Sequence, residues 1–198
     1  MNSSVPIELP LEMWTRLKEF YQKPLRYYHS FTHIEEVLLS FDEIKELCSH
    51  PKEVYLAILY HDAVYNYGSK ENEKESAIIA VAEIARFLPH EQLDVEYIRR
   101  LIELTASHGT LKRGDLTQEE RLFLDSDMAI LGSSKQRFQL YEQQIKQEYT
   151  QAYSVFLYQM GRRRFLKKLL RTDRIYFSEY FYSKLEEAAR RNIQASLL

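Results

Sequence analysis

A chain of 198 residues, 45 % hydrophobic and 28 % charged, has the composition of an ordinary globular protein with one sizeable core and is not that of a disordered chain. A formal net charge of -2 argues against a general binder of nucleic acid or membrane surfaces. Cys48 is the single cysteine, which excludes an internal disulfide and a Cys-based zinc site and fits reducing surroundings. The longest clean apolar run, about Val54 to Tyr60, is far too short to cross a bilayer. Met1 to Pro10 lacks the basic start and apolar stretch of a signal peptide. A cytoplasmic location is the expectation.

Gly and Pro number five each, too few for the many turns of a stranded fold. The expected class is all-α, without a β-sheet of consequence. Thr32 and Glu35 have capping-box spacing and predict a helix from Thr32, with Ile34, Val37, Leu38, Phe41, Ile44 and Leu47 as its apolar stripe. Pro51 opens the next helix, which carries Val54, Ala57, Ile58 and His61 on one face and ends by Asn66-Tyr67-Gly68. Its β-branched residues imitate a strand, but the three-four spacing favours helix. Ala77, Ile78, Val81, Ala82, Ala85 and Leu88 form a stripe stopped by Pro89, and Val95, Ile98, Leu101, Ile102 and Thr105 form another. Gly109 to Leu116 reads as a loop. Thr117 and Glu120 open a helix with a second capping box, Gly132 ends it, and Ser133 or Ser134 caps the next. From Lys135 onward the pattern is helical, with a break near Thr172 to Ser178. One domain over 1–198 is expected, with about 135–198 packed as an extension.

The residues with chemistry begin at His61-Asp62, at the end of a strongly apolar helix. A rigid helix end holds both side chains over one point, and an aspartate there needs a counter-charge or a metal. His33 stands in the first turn of its own helix. His29, four residues earlier, shares its face if that helix starts early. Imidazole combined with carboxylate suits Mn, Fe, Co, Ni or Zn better than Ca. Asp125 and Asp127 supply further carboxylates. Both also read as solvated acids in the early turns of a helix, where negative charge is favoured. The run Arg162, Arg163, Arg164, Lys167, Lys168, Arg171 and Arg174 is read as a solvated helix face in preference to a nucleic-acid surface, and no Gly-rich phosphate loop is present.

In order, His33, His61-Asp62 and Asp127 resemble the H…HD…D signature of the HD superfamily. More specifically, the chain resembles the bacterial family called predicted metal-dependent HD-superfamily phosphohydrolases. The resemblance rests on Arg26-Tyr27-Tyr28-His29-Ser30-Phe31-Thr32-His33-Ile34, Tyr60-His61-Asp62-Ala63-Val64-Tyr65, Asn72-Glu73 before Ser76-Ala77, and Thr105-Ala106-Ser107-His108. It continues through Phe123-Leu124-Asp125-Ser126-Asp127, Ile130-Leu131-Gly132 and Arg174-Ile175-Tyr176 to Glu187, Ala189, Arg190, Asn192 and Ile193.

What the resemblance implies is an HD-like helical bundle around a divalent ion (Mn, Fe, Co, Ni, Zn or Mg) held by His33, His61, Asp62 and Asp127. Of the two late aspartates, Asp127 fits the ligand position better because it directly precedes Met128-Ala129-Ile130. The implied activity is phosphohydrolysis of a small phosphorylated compound, with a nucleotide as one candidate. Asp62 would serve at the metal. His108 is a candidate for a second metal or for orienting and protonating the phosphate, against an ordinary loop histidine. Arg26 and His29 are candidates for the substrate phosphate, and for His29 the role of holding a ligand in place is favoured. The alternatives are a non-catalytic nucleotide- or partner-binding HD module and an HD-type di-iron oxygenase, which needs more ligands. Neither nucleic acid nor membrane is expected as a partner, and oligomerisation is left open.

Overall fold

The computed structural model describes residues 5–198, and among them there are nine α-helices and no strand. The chain divides into two compact units, residues up to Thr110 and Leu111–Leu198. The division falls after the fifth helix, upstream of residue 135, where the sequence suggests that a C-terminal extension starts.

The first unit holds α1 (Leu11–Tyr21), α2 (Phe31–Asp42), α3 (Pro51–Tyr60), α4 (Asn72–Phe87) and α5 (Val95–Thr105). Pro51 occupies the first turn of α3, where its missing N–H costs nothing. From Glu53 to Tyr60 every residue of α3 is buried. A helix apolar on all sides belongs in the centre, and α3 packs against α2, α4 and α5. Its polar exception, Glu53, accepts a hydrogen bond from the Asp94 amide at the start of α5 (3.1 Å). The Glu83 carboxylate of α4 is buried and takes a forked bond from Arg16 of α1, at 2.9 Å from Nε and 2.7 Å from Nη2.

Two expectations are corrected here. Helix α2 begins at Phe31 after Ser30, so Thr32 lies inside the helix rather than at its cap. The Phe31 ring meets Trp14 and Tyr21 of α1 edge-on, at 6.3 and 6.0 Å, and this packing sets the helix start. The stripe expected to run to Leu47 breaks at Asp42. A 3-10 turn, Lys45–Leu47, follows and keeps Ile44 in the core.

The second unit holds α6 (Gln118–Met128), α7 (Lys135–Tyr149), α8 (Val155–Arg171) and α9 (Glu179–Leu197). The Thr117–Glu120 capping box is formed on both sides, and Ser134, Ser154 and Ser178 cap α7, α8 and α9 through their side chains. Between α8 and α9 four successive amides end on two buried carboxylates. Ile175 and Tyr176 donate to Glu186 (3.0 and 3.2 Å), and Phe177 and Ser178 donate to Asp125 (2.8 and 2.6 Å). The break expected near Thr172 to Ser178 is therefore an ordered turn.

The turn Ala129–Gly132 packs against α9 so closely that a methyl group on Gly132 would lie 2.6 Å from Leu185 Cβ and 3.0 Å from Leu185 O. Gly132→Ala is expected to cost about 1–3 kcal/mol, the usual penalty for overpacking. Chemical denaturation would register this as a lower midpoint, and an unchanged midpoint would contradict the close approach.

Candidate metal centre

His61 is the C-cap of α3, so the central helix delivers it and Asp62 at its carboxyl end. The His61 Nδ1 lies 2.8 Å from the Ile58 carbonyl. A carbonyl only accepts, so Nδ1 carries the proton, and in the neutral ring Nε2 presents a lone pair. That lone pair faces His33 Nε2, from the first turn of α2, at 3.2 Å. The Asp62 Oδ2 lies 3.3 Å from His61 Nε2 and 3.6 Å from His33 Nε2. Both histidines are buried.

The donor set fits a divalent ion. Three ligand atoms with edges of 3.2, 3.3 and 3.6 Å match one face of a coordination shell with bonds of about 2.1 Å. The backbone acceptor behind His61 is the usual support for a metal-binding imidazole. Among the described residues His33, His61 and Asp62 are the group of three or more His, Cys, Asp or Glu side chains whose ligand atoms converge in this way.

The loop that carries Asp62 is latched from both sides. Arg26 Nη1 donates to the carbonyls of His29 (3.1 Å) and Asp62 (2.7 Å), and Nη2 to that of Ala63 (2.9 Å). Arg26 also lies over the rings of Tyr21 and Tyr65, at 5.3 and 5.8 Å. Leu25, just before it, has φ 73°, a costly backbone for a leucine. Tyr67 donates its hydroxyl to the Leu25 carbonyl. From the other side, Ser76 Oγ accepts from the Val64 amide (3.0 Å), and Asn72 exchanges two bonds with the Asn66 backbone (2.9 and 3.0 Å). These bonds give a physical reason for Asn72 and Ser76 at the start of α4.

Burial pushes the Asp62 carboxyl up, but whenever the imidazoles are protonated instead of neutral, the charges of His61, His29 and His33 and the bond from His61 outweigh burial and hold the group well below the usual carboxylate range. His29 is stacked on Tyr65 with ring centroids 3.9 Å apart, and Tyr28 lies against His33 at 4.8 Å. Glu73, in the first turn of α4, is half-buried, and burial together with the Asp62 charge raises its carboxyl above the ordinary value.

Three of the four expected ligands thus come together. Asp127 lies half-buried in the last turn of α6, in the second unit. His108 is half-buried in the turn after α5 and stands outside the triad. His29 adjoins His33, with ring centroids 5.9 Å apart. Arg26 spends both terminal nitrogens on carbonyls, a task its residue type does not announce. Sequence reasoning gave no role to Tyr65, Tyr28 or Glu73. Their one signal was a position inside the motif stretches already singled out. Compared with family models, with curated proteins and with solved structures, the chain matches none.

Proposed function

We propose that the chain is a metal-dependent phosphohydrolase of the HD type that acts on a small phosphorylated compound such as a nucleotide. The observation that carries this reading is the convergence of His33 Nε2, His61 Nε2 and Asp62 Oδ2 within 3.6 Å of one another. His33, His61 and Asp62 would hold the ion, one of Mn, Fe, Co, Ni, Zn or Mg. A bound ion there supplies a water acidified toward a pKa of about 7 and polarises a phosphoryl oxygen.

The chain's own groups supply the rest. Asp62 stays ionised and offsets positive charge at the site. Glu73, with its raised carboxyl beside Asp62, is assigned the proton of the attacking water, a task that favours a carboxylate shifted toward neutral pH. His29, held flat on Tyr65, is assigned a phosphoryl oxygen. Arg26 is assigned to holding the Asp62 loop instead of the phosphate. His108 is kept as the group that orients or protonates the phosphate.

A phosphatase screen on metal-reconstituted protein, over nucleotides, sugar phosphates and an aryl phosphate, tests the reading together with elemental analysis. Phosphate release that depends on about one bound divalent ion per chain is expected. Failure to retain any ion, or no release from any of these compounds, overturns it. Glu73→Gln and His108→Ala should each lower kcat by roughly 10²–10⁴-fold at unchanged metal content. An unchanged kcat with unchanged metal would return the residue concerned to an ordinary structural role.

A further inference from the structure

Helix α8 reads VFLYQMGRRRFLKKLLR, with six cations and no anion, in a chain whose formal net charge is only -2. Its inward side is fixed by the buried Leu166 and Leu169. At 100° per residue, Phe156, Leu157, Met160, Arg164, Lys167, Lys168 and Arg171 all fall within about 70° of the opposite direction. Phe156 is 68 % exposed and Leu157 and Met160 are each 54 % exposed. Among the described residues Arg164, Lys167, Lys168 and Arg171 are exposed and make no ion pair. Arg162, by contrast, turns inward and pairs with Glu142. The outward face is thus divided end to end, apolar over its first turns and cationic over its last. Cations near a helix C-terminus are favoured by the dipole, which explains the basic end but not the bare apolar one.

We propose that this face of α8 docks an acidic peptide segment that carries apolar anchor residues at one end. Charge complementarity selects an anionic partner. The end-to-end division disfavours a second α8 by symmetry. An antiparallel pair sets apolar residues against cations, and a parallel pair sets cations against cations. A helix lying in a bilayer needs an apolar stripe along its length, and the last turns of this face offer none. A concave seat also adjoins the apolar end. It is an open cavity of about 560 Å³ whose lining includes Phe156, Met160, Lys146 and Arg163, with room for an inserted apolar side chain. This proposal is independent of the metal centre.

The test pans the full-length chain against a randomised 16-residue peptide display library. Recovered peptides should be enriched in Asp and Glu, with Phe, Leu, Ile or Trp clustered toward one terminus. The strongest of them, synthesised and measured by fluorescence anisotropy, should lose at least tenfold in affinity to the double variant Arg164→Glu/Lys168→Glu and separately to Phe156→Ser/Met160→Ser. Both variants should melt as the wild type does, since all four side chains face outward. Binding should weaken as salt is raised from 50 to 500 mM, because exposed charges are screened. Recovered peptides no more acidic than the library, or an affinity that neither double variant changes, overturn the proposal. So does tighter α8-dependent capture on phosphatidylserine vesicles or on an oligonucleotide, tested in parallel.

Discussion

His61→Ala and Asp62→Ala are each expected to lower phosphate release by more than about 10³-fold, beyond the loss of a single transition-state hydrogen-bond donor, while the protein stays folded. The fold survives because the bonds that organise this loop end on the backbone. Arg26 reaches the Asp62 and Ala63 carbonyls, and these remain whatever side chain follows. The proposed metal face does not survive, since each substitution removes one of its three corners. A second readout separates a lost ion from a lost catalytic step. An ion that binds the folded state stabilises it by about 2.7 kcal/mol at a hundredfold excess over Kd. Adding a divalent ion should therefore raise the melting temperature of the wild type and leave both variants unmoved. A variant that keeps the wild-type rate with metal present would refute the proposed mechanism.

Asp125→Ala is expected to destabilise the second unit by about 2–6 kcal/mol, because it strands two amide donors that now end on a buried carboxylate, each worth about 1–3 kcal/mol. The Phe177 and Ser178 amides should lose their protection against hydrogen exchange, and continued protection would show another acceptor at work. A pH dependence follows from the same group. Burial pushes the Asp125 carboxyl up, to about 7, against the pull of its bonds from Ser178 and Phe177. The folded state then binds a proton that the unfolded chain releases near its ordinary value of 3.8. Stability from this group is present below that value and declines as pH rises toward 7, by about 4 kcal/mol in all. Asp125→Asn removes the titration, so the stability difference between wild type and Asp125→Asn should shrink or reverse from pH 4 to pH 8. A difference that grows with pH would show that the two amides hold the carboxylate ionised after all.

Much of this architecture is legible in the sequence, and what is not has a physical pattern. Pro51 and the unbroken apolar run behind it announce α3, and with it the rigid placement of His61 and Asp62. Thr117 and Glu120 announce α6 because a capping box is a local device. The start of α2 depends on Phe31 meeting rings in α1, and α1 itself went unread although its buried Met13, Leu17 and Tyr21 recur every four residues. Asp125 looked like the lesser of two late aspartates. Its burial is decided by amides 52 and 53 residues downstream. Arg26 was expected to seek a phosphate, since side-chain identity does not show that a guanidinium will end on main-chain carbonyls.

The two carboxylates that hold the turn between α8 and α9 close loops of very different length. Glu186 reaches back 11 residues to Ile175, whereas Asp125 reaches forward 52 residues to Phe177, around all of α7 and α8. The longer closure costs only about 1.4 kcal/mol more in chain entropy, so the difference bears on order of assembly more than on final stability. The Glu186 contact can form while α9 is still searching for its place, and the Asp125 contact has to wait until α7 and α8 have folded back. Stopped-flow measurements should accordingly find that Asp125→Ala mainly accelerates unfolding, while Glu186→Ala also slows refolding. A slowed refolding limb for Asp125→Ala would mean that the long closure comes first. In kinetic terms, the turn that precedes α9 is nucleated from its near side and bolted from its far side.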